Sequence, residues 1–173
     1  SNAGTTWNKI NMETYNLNVS SITQTSNGDI YVGTGEVFET QDMTGLEQMG
    51  YMTGFMGQGI FKSTNGDDFV LIESTKPEYN DINSDWAFVN ELAADQNNDR
   101  IYAATNTGLR YSNDGGQSWA VAKDTAGNEL LMNALDVKVA SDGFVIACVD
   151  NKCYVAGDGN VNAFINRSTG DSI

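Results

Sequence analysis

Ser112-Asn113-Asp114-Gly115-Gly116-Gln117-Ser118-Trp119 decides how this chain is read. The stretch has the form S-x-D-x-G-x-S-W. It lies between the apolar segments Gly108-Leu109-Arg110-Tyr111 and Ala120-Val121-Ala122. Read physically, it is a hairpin turn between two strands. Asp114 can fold its carboxylate back onto nearby backbone N–H groups. Gly115 and Gly116 supply positive φ without steric cost. Trp119 re-enters the sheet with a large ring that needs burial.

Outward from this turn, one order of segments recurs three times. In the middle unit Leu92-Ala93-Ala94-Asp95 reads as a strand and Gln96-Asn97-Asn98-Asp99 as a turn. Ile101 to Thr105, Gly108 to Tyr111 and Trp119 to Ala122 follow as three more strands. The first unit begins alike, with Ile22-Thr23-Gln24-Thr25, the turn Ser26-Asn27-Gly28-Asp29 and Ile30-Tyr31-Val32-Gly33-Thr34. Its third strand, Gly59-Ile60-Phe61-Lys62, comes much later and runs into Ser63-Thr64-Asn65-Gly66-Asp67-Asp68-Phe69. The third unit runs from Leu135 to Val139, turns at Ser141-Asp142-Gly143, and continues through Phe144 to Val149 and Lys152 to Val155. Ala156-Gly157-Asp158-Gly159 stands where the turn motif should be.

The strands alternate apolar with polar or small residues, as half-buried sheets do. Four short strands per unit, at a period of roughly 45 residues, predict an all-β fold of four-stranded antiparallel meanders, the blades of a β-propeller. The units span about residues 17–73, 86–123 and 131–167 of a single domain, residues 4–173. Residues 1–3, Ser-Asn-Ala, read as an expression scar. Residues 5–10 read as the outer strand of a neighbouring or closing blade. Rings close with about four to eight blades. About three units therefore predict a partial propeller, with an open arc or an assembly of copies as alternatives. Exposed blade edges would invite self-association.

The eight-residue turn resembles the Asp-box, or bacterial neuraminidase repeat. That motif caps the outer hairpin of blades in sialidases, xyloglucanases, sortilin-type receptors and photosystem II assembly factors. The resemblance implies structural roles for Ser112, Asp114, Gly116 and Trp119. Residues 63–70 resemble a degenerate copy: Asn65 replaces the Asp, Asp67 the second Gly, and the aromatic comes one place early. The resemblance does not extend to sialidase chemistry. That family uses three arginines from different blades and an Arg-Ile-Pro motif, whereas this chain has only Arg100, Arg110 and Arg167, and its only proline is Pro77. Gly33-Thr34-Gly35-Glu36, followed by Gly59-Ile60-Phe61-Lys62-Ser63, resembles a xyloglucanase pattern. No position here matches the catalytic aspartates of that family.

The 173 residues include 9 basic and 23 acidic side chains, a net charge of −14, and no histidine. So acidic a chain repels nucleic acid and anionic membranes. Lack of His removes the commonest general base and zinc ligand. No apolar stretch is long enough for a membrane span. No metal or cofactor is expected. Asp95-Gln96-Asn97-Asn98-Asp99 has the opening of a calcium loop, but Arg100 and Asn106 occupy its sixth and twelfth positions, where Gly and Glu are needed. It reads as a solvated turn. Cys148 and Cys153 flank Val149-Asp150-Asn151-Lys152. A two-residue turn at Asp150-Asn151 would set them opposite each other at a non-hydrogen-bonded pair. That allows a disulfide; two free thiols packed as small hydrophobes are the alternative. Asn18-Val19-Ser20 and Asn166-Arg167-Ser168 are glycosylation sequons.

Residues 35–58 break the repeat. The middle unit joins its second and third strands with two residues; the first unit uses this long insertion, with Met43, Met49, Met52, Met56, Phe38, Tyr51, Phe55, Glu36, Glu39, Asp42 and Glu47. A loop this long is functional or disordered, and its apolar content opposes disorder. In a meander it emerges on the same face as the loops joining blades. The first of those carries Tyr79, Asp81, Asp85 and Trp86. Glu36, Phe38, Glu39, Tyr51, Phe55, Tyr79, Asp81, Asp85 and Trp86 are thus the candidate ligand residues. Rings stack on sugar faces while carboxylates accept hydroxyl hydrogen bonds. A peptide partner fits the same chemistry. A packed-down lid is the bland alternative. Glycoside hydrolysis would need two carboxylates at a set separation; Glu36, Glu39, Asp42, Asp81 and Asp85 supply the residue type, and no catalytic residue is assigned. The expectation is a recognition module for glycan or protein, secreted to the extracellular space, the periplasm or the cell surface. A glycoside hydrolase-like protein acting on polysaccharide and a structural propeller segment are the alternatives.

Overall fold

The computed structural model describes residues 4–7, 9–10, 18–39 and 52–168. Tyr51, Met43, Met49, Asp42 and Glu47 lie outside them. The described residues form three four-stranded antiparallel sheets and one two-stranded ribbon. The first sheet contains β1 (Val19–Gln24), β2 (Ile30–Thr34), β5 (Ile60–Ser63) and β6 (Val70–Leu71). The second contains β7 (Val89–Ala94), β8 (Ile101–Thr105), β9 (Gly108–Ser112) and β10 (Ala120–Val121). The third contains β11 (Ala134–Val139), β12 (Val145–Val149), β13 (Lys152–Ala156) and β14 (Ile165–Asn166). Each sheet is an up-and-down meander in chain order, as the repeat predicts. The inserted strands β3 (Glu36–Glu39) and β4 (Met52–Phe55) interrupt the first sheet.

The sheets are internally equivalent. Each first strand carries a register shift at the same place: between Val19 and Ser21, Val89 and Glu91, and Ala134 and Asp136. The extra residues Ser20, Asn90 and Leu135 are therefore equivalent. So are Tyr31, Tyr102 and Ile146, which sit one position into each second strand.

Consecutive sheets pack face to face. We call the side of a sheet turned to the next sheet its forward face. Tyr31 and Ile60 of the first sheet pack on Val89, Leu92, Ile101 and Ala103 of the second. Tyr102, Ala104 and Leu109 of the second pack on Ala134, Val137, Val145, Ala147 and Val149 of the third. Full burial of a side chain of this size stabilises by about 1.5–3 kcal/mol. Gly33 lies at the first contact because a Cβ there would come 2.7 Å from Val89 Cγ1.

Polar latches accompany the apolar contacts. The Ser20 hydroxyl donates to the Val89 carbonyl, and Asn90 Nδ2 donates to the equivalent Ala134 carbonyl at 2.7 Å. The Ser21 and Thr23 hydroxyl oxygens accept the Leu92 and Ala94 N–H groups at 2.9 and 3.1 Å, which satisfies donors on an otherwise open strand edge. The Tyr31 hydroxyl faces the Gly115 carbonyl, and the Tyr102 hydroxyl the Gly159 carbonyl, both at 3.5 Å. Lys62 lies over the first ring and Arg100 over the second. Burial pushes both phenols up from their ordinary pKa, which keeps them as neutral donors.

Two expectations are corrected. The described residues of the 5–10 segment form no strand, and Trp7 is 89% exposed, so no apolar face holds the segment in a sheet. The insertion is not a plain loop, because its ends pair as the β3–β4 ribbon. Among the described residues no helix is long and apolar enough to cross a membrane.

Candidate functional site

The 112–119 turn behaves as its residues require. The Ser112 hydroxyl donates to Asp114 Oδ1 at 2.7 Å and accepts the Gly116 N–H at 2.8 Å. Asp114 Oδ1 accepts the Ser118 N–H at 2.9 Å, and Oδ2 accepts the Ser118 hydroxyl. These bonds, the Ser118 hydroxyl foremost, hold the Asp114 carboxyl down at about 2. Trp119 Nε1 donates to the Gly116 carbonyl at 3.1 Å. The 63–68 turn uses the same design with an amide. The Ser63 hydroxyl donates to Asn65 Oδ1 at 3.0 Å, and that oxygen accepts the Asp67 and Asp68 N–H groups at 2.9 Å. The third turn lacks the serine. Its Gly159 N–H donates instead to the Gly143 carbonyl at 2.9 Å. These turns organise strands, and in the first two Asn65 and Asp114 spend their side chains on the turn itself.

The open chemistry lies where the insertion meets the loop between the first two sheets. The ribbon is fixed at its base. The Gly57 N–H donates to the Ala87 carbonyl at 2.8 Å, and Thr34 Oγ1 accepts the Gln58 N–H at 2.8 Å. Val37 packs with Ala87, Phe88 and Met56. No larger residue fits at position 57, because a Cβ there would lie 2.2 Å from the Thr34 carbonyl oxygen. Beside this base is an open groove of about 620 Å³. Met56 and Gln58 line one side and Glu73, Lys76, Pro77, Glu78, Tyr79 and Asn80 the other. Tyr79 is 99% exposed, while Pro77, two residues before it, is buried. Asn80, at φ 56°, turns the chain just after the ring.

The candidate residues divide. Glu36 and Phe55 face each other in register at the ribbon base, and both are exposed. Tyr79 stands in the groove. Asp81 accepts the Asn83 N–H at 2.9 Å and shapes the loop. Asp85 pairs with Arg110 at 2.9 Å. The backbone of Phe38 and Glu39 lies in β3, and their side chains lie outside the described structure, as does Tyr51.

Trp86 is a correction. It is 5% exposed and lies between the sheets, its ring centroid 4.8 Å from that of Trp119. Arg110 covers it at 5.4 Å. Its backbone has φ 70°, rare for a bulky residue. Packing between two sheets holds that conformation, and the ring is closed to a ligand. Gln58, Glu73, Lys76 and Glu78 complete the groove. Glu73, Lys76 and Glu78 sit in the loop between the first two units and Gln58 ends the insertion, both stretches that sequence singled out; none of the four is marked there as a ligand residue, because only the folded ribbon brings the two stretches together.

Asp95 accepts the Asn97 N–H and Asn98 Nδ2, and Asp99 accepts the Ser26 N–H and hydroxyl. Both carboxylates of the calcium-like stretch are thus engaged in turns. Among the described residues no three His, Cys, Asp or Glu side chains are arranged to hold a metal ion. Cys148 and Cys153 are opposite each other in register and are free thiols in this structure. The turn between them has φ 49° and 56° at Asp150 and Asn151, the left-handed pair of a two-residue hairpin.

What these elements define is a class: an all-β protein of four-stranded antiparallel sheets, compatible with a propeller-like arrangement. No family model matches the chain, and no curated protein matches it. Solved structures do match, among them a protein of unknown function from Dyadobacter fermentans DSM 18053, at 16% identity and a TM-score of 0.47. The match covers 86% of this chain and 50% of that one, so this chain spans about half its length.

Proposed function

We propose that the chain is a set of propeller blades of the Asp-box type that serves as an extracytoplasmic recognition module, binding glycan through the groove beside the inserted ribbon. The observation that carries this reading is Tyr79. Tyr79 lines a groove of about 620 Å³ and is 99% exposed, two residues after buried Pro77, so its ring is open to a ligand. Rings of this kind stack on the apolar faces of sugars. Gln58, Glu73 and Glu78 can exchange hydrogen bonds with hydroxyl groups. The net charge of −14 favours neutral glycans over sulfated or uronic ones.

A hydrolase reading has less support. Asp85 is paired with Arg110 and Asp81 is engaged in its own turn. Asp114 is held down at about 2, the direction opposite to a general acid. A protein ligand in the same groove is the second reading.

The deciding experiment is a glycan and polysaccharide binding screen of three proteins: the intact chain, Tyr79→Ala, and a version with residues 36–56 replaced by Asn-Gly. Binding by the intact chain alone supports the groove as a glycan site. Equal binding by all three moves the site elsewhere. No binding by any of them, with all three folded, leaves glycan recognition without support and favours a protein ligand.

A further inference from the structure

We propose that Asn65 is a site of self-catalysed deamidation, at which the Gly66 backbone nitrogen displaces the Asn65 side-chain amide as ammonia with the Ser63 hydroxyl as proton relay. The chain has two Asn-Gly pairs, in Ser26-Asn27-Gly28-Asp29 and Thr64-Asn65-Gly66-Asp67. Their local sequences are nearly the same, with a hydroxyl residue before and an aspartate after. A glycine that follows asparagine has no Cβ to hinder its nitrogen. Both pairs are therefore chemically suited to the reaction, and the fold separates them.

Three donors converge on Asn65 Oδ1. The Ser63 hydroxyl donates at 3.0 Å, and the Asp67 and Asp68 N–H groups at 2.9 Å each. Addition to Cγ places charge on that oxygen, and donors already aimed at it stabilise the charge. Ser63 Oγ also accepts the Gly66 N–H at 2.9 Å. The proton that must leave Gly66 thus has a path. It passes to Ser63 Oγ while the Ser63 hydroxyl proton passes to Oδ1, both within the reach that proton transfer needs. Ser63 is 2% exposed, so the relay is shielded, whereas Asn65 is exposed and open to water. Asn65 Nδ2 donates to the Asp68 carboxylate at 3.0 Å, on the exposed side from which ammonia departs.

The bonds balance. The Gly66 N–Cγ bond forms as the two protons shift, which gives a neutral tetrahedral carbon bearing a hydroxyl and an amine. The hydroxyl proton then moves to the amine, the carbonyl re-forms and ammonia leaves. A five-membered imide remains. Water adds to one imide carbonyl and opens the ring, leaving a carboxylate where the amide was. Water is the only co-reactant.

Asn27 lacks the relay. Its Oδ1 accepts the Thr25 hydroxyl at 2.7 Å and the Asp29 N–H at 3.0 Å, but the Gly28 N–H donates to the Thr25 backbone carbonyl at 3.0 Å. A carbonyl oxygen has no proton to pass on. The 112–119 turn shows that a carboxylate suits the product position, since Asp114 Oδ1 accepts the Ser112 hydroxyl and the Ser118 N–H. The inference is independent of the ligand proposed for the groove.

Peptide mapping by mass spectrometry, on protein held at neutral pH and sampled over weeks, follows both pairs in one sample. A positioned proton relay is worth about 10²–10⁴ in rate, so Asn65 is expected to convert at least about tenfold faster than Asn27 in the folded chain. In urea the two rates should converge, because the near-identical sequences have lost their different surroundings. Ser63→Ala, checked for folding by circular dichroism, should slow Asn65 at least about tenfold and leave Asn27 unchanged. Should Ser63→Ala misfold, the comparison of folded with urea-unfolded wild type decides. No conversion of Asn65, Asn27 converting as fast in the folded chain, a rate ratio that urea leaves unchanged, or a folded Ser63→Ala variant with the wild-type rate would each overturn the proposal.

Discussion

The ring of Trp86 meets the ring of Trp119 edge to face, with centroids 4.8 Å apart and planes at 62°. One tryptophan lies in the loop between the first two sheets and the other immediately precedes the last strand of the second sheet. Together with Ile72 they seal the outer part of the first inter-sheet core.

Trp119→Ala and Trp86→Ala should therefore act as core truncations. Each is expected to destabilise by about 3–5 kcal/mol. Their double mutant should fall short of additivity by about 0.5–1.5 kcal/mol, the edge-to-face coupling. Chemical denaturation of the four proteins measures both quantities. Trp86→Ala with wild-type stability would place that ring outside the core.

Tyr79→Ala should do the opposite. The side chain is fully open, so stability should stay within about 0.5 kcal/mol of wild type. Binding of any glycan found in the screen should weaken about 3- to 10-fold, the value of one stacking contact. Isothermal titration beside a thermal melt separates the two effects.

Asp114 links stability to pH. Its folded pKa of about 2 lies below the ordinary aspartate value of 3.8. The unfolded chain therefore binds the proton more readily between those values. The contribution of Asp114 is present above about pH 4 and is lost as pH falls through about 2. Asn65 shows that an amide oxygen can accept the turn N–H groups. Asp114→Asn should accordingly keep most of the melting temperature and Asp114→Ala should lose more. The gap between wild type and Asp114→Asn should close as pH drops from about 4 to 2. Thermal melts across that range, with an NMR titration of the Asp114 carboxyl, provide the check.

Gly57→Ala should disturb the base of the ribbon. Its methyl group would meet the Thr34 carbonyl oxygen at 2.2 Å, a backbone atom that cannot swing aside. A loss of about 1–3 kcal/mol is expected, with weakened binding in the adjoining groove. Hydrogen exchange at the Gln58 and Gly57 amides reports the local change. Unchanged protection there would contradict the close approach.

Cys148 and Cys153 should close a disulfide when treated with oxidised glutathione, the glutathione taking up the two hydrogens. Both thiols sit at a directly opposed pair of a tight hairpin. Burial, with help from the Cys153 and Asp136 charges, pushes the Cys148 thiol pKa up, so the reaction should quicken as pH rises through the alkaline range. Intact mass after non-reducing digestion identifies the product; a mixed glutathione adduct on both residues, with no internal bond, would count against the opposed geometry.

Sequence alone determined what depends on near neighbours along the chain. The Ser112–Asp114–Ser118 bonds span at most four residues, so turn chemistry could be read directly. The positions of β2, β8 and β12 followed from short apolar runs and from the Gly-Asp, Asn-Asp and Asp-Gly turns before them. Pairing of Cys148 with Cys153 followed from the two-residue turn between them. Tertiary structure decided what depends on packing between distant segments. Trp86 and Tyr79 lie seven residues apart in one loop and look alike as candidate platforms. One is 5% exposed and the other 99%, because only Trp86 meets Trp119 and Arg110 from the neighbouring strands. Gln58 and Glu73 entered the groove for the same reason. Burial is set by what arrives from elsewhere in the chain, and no local pattern of residues records it.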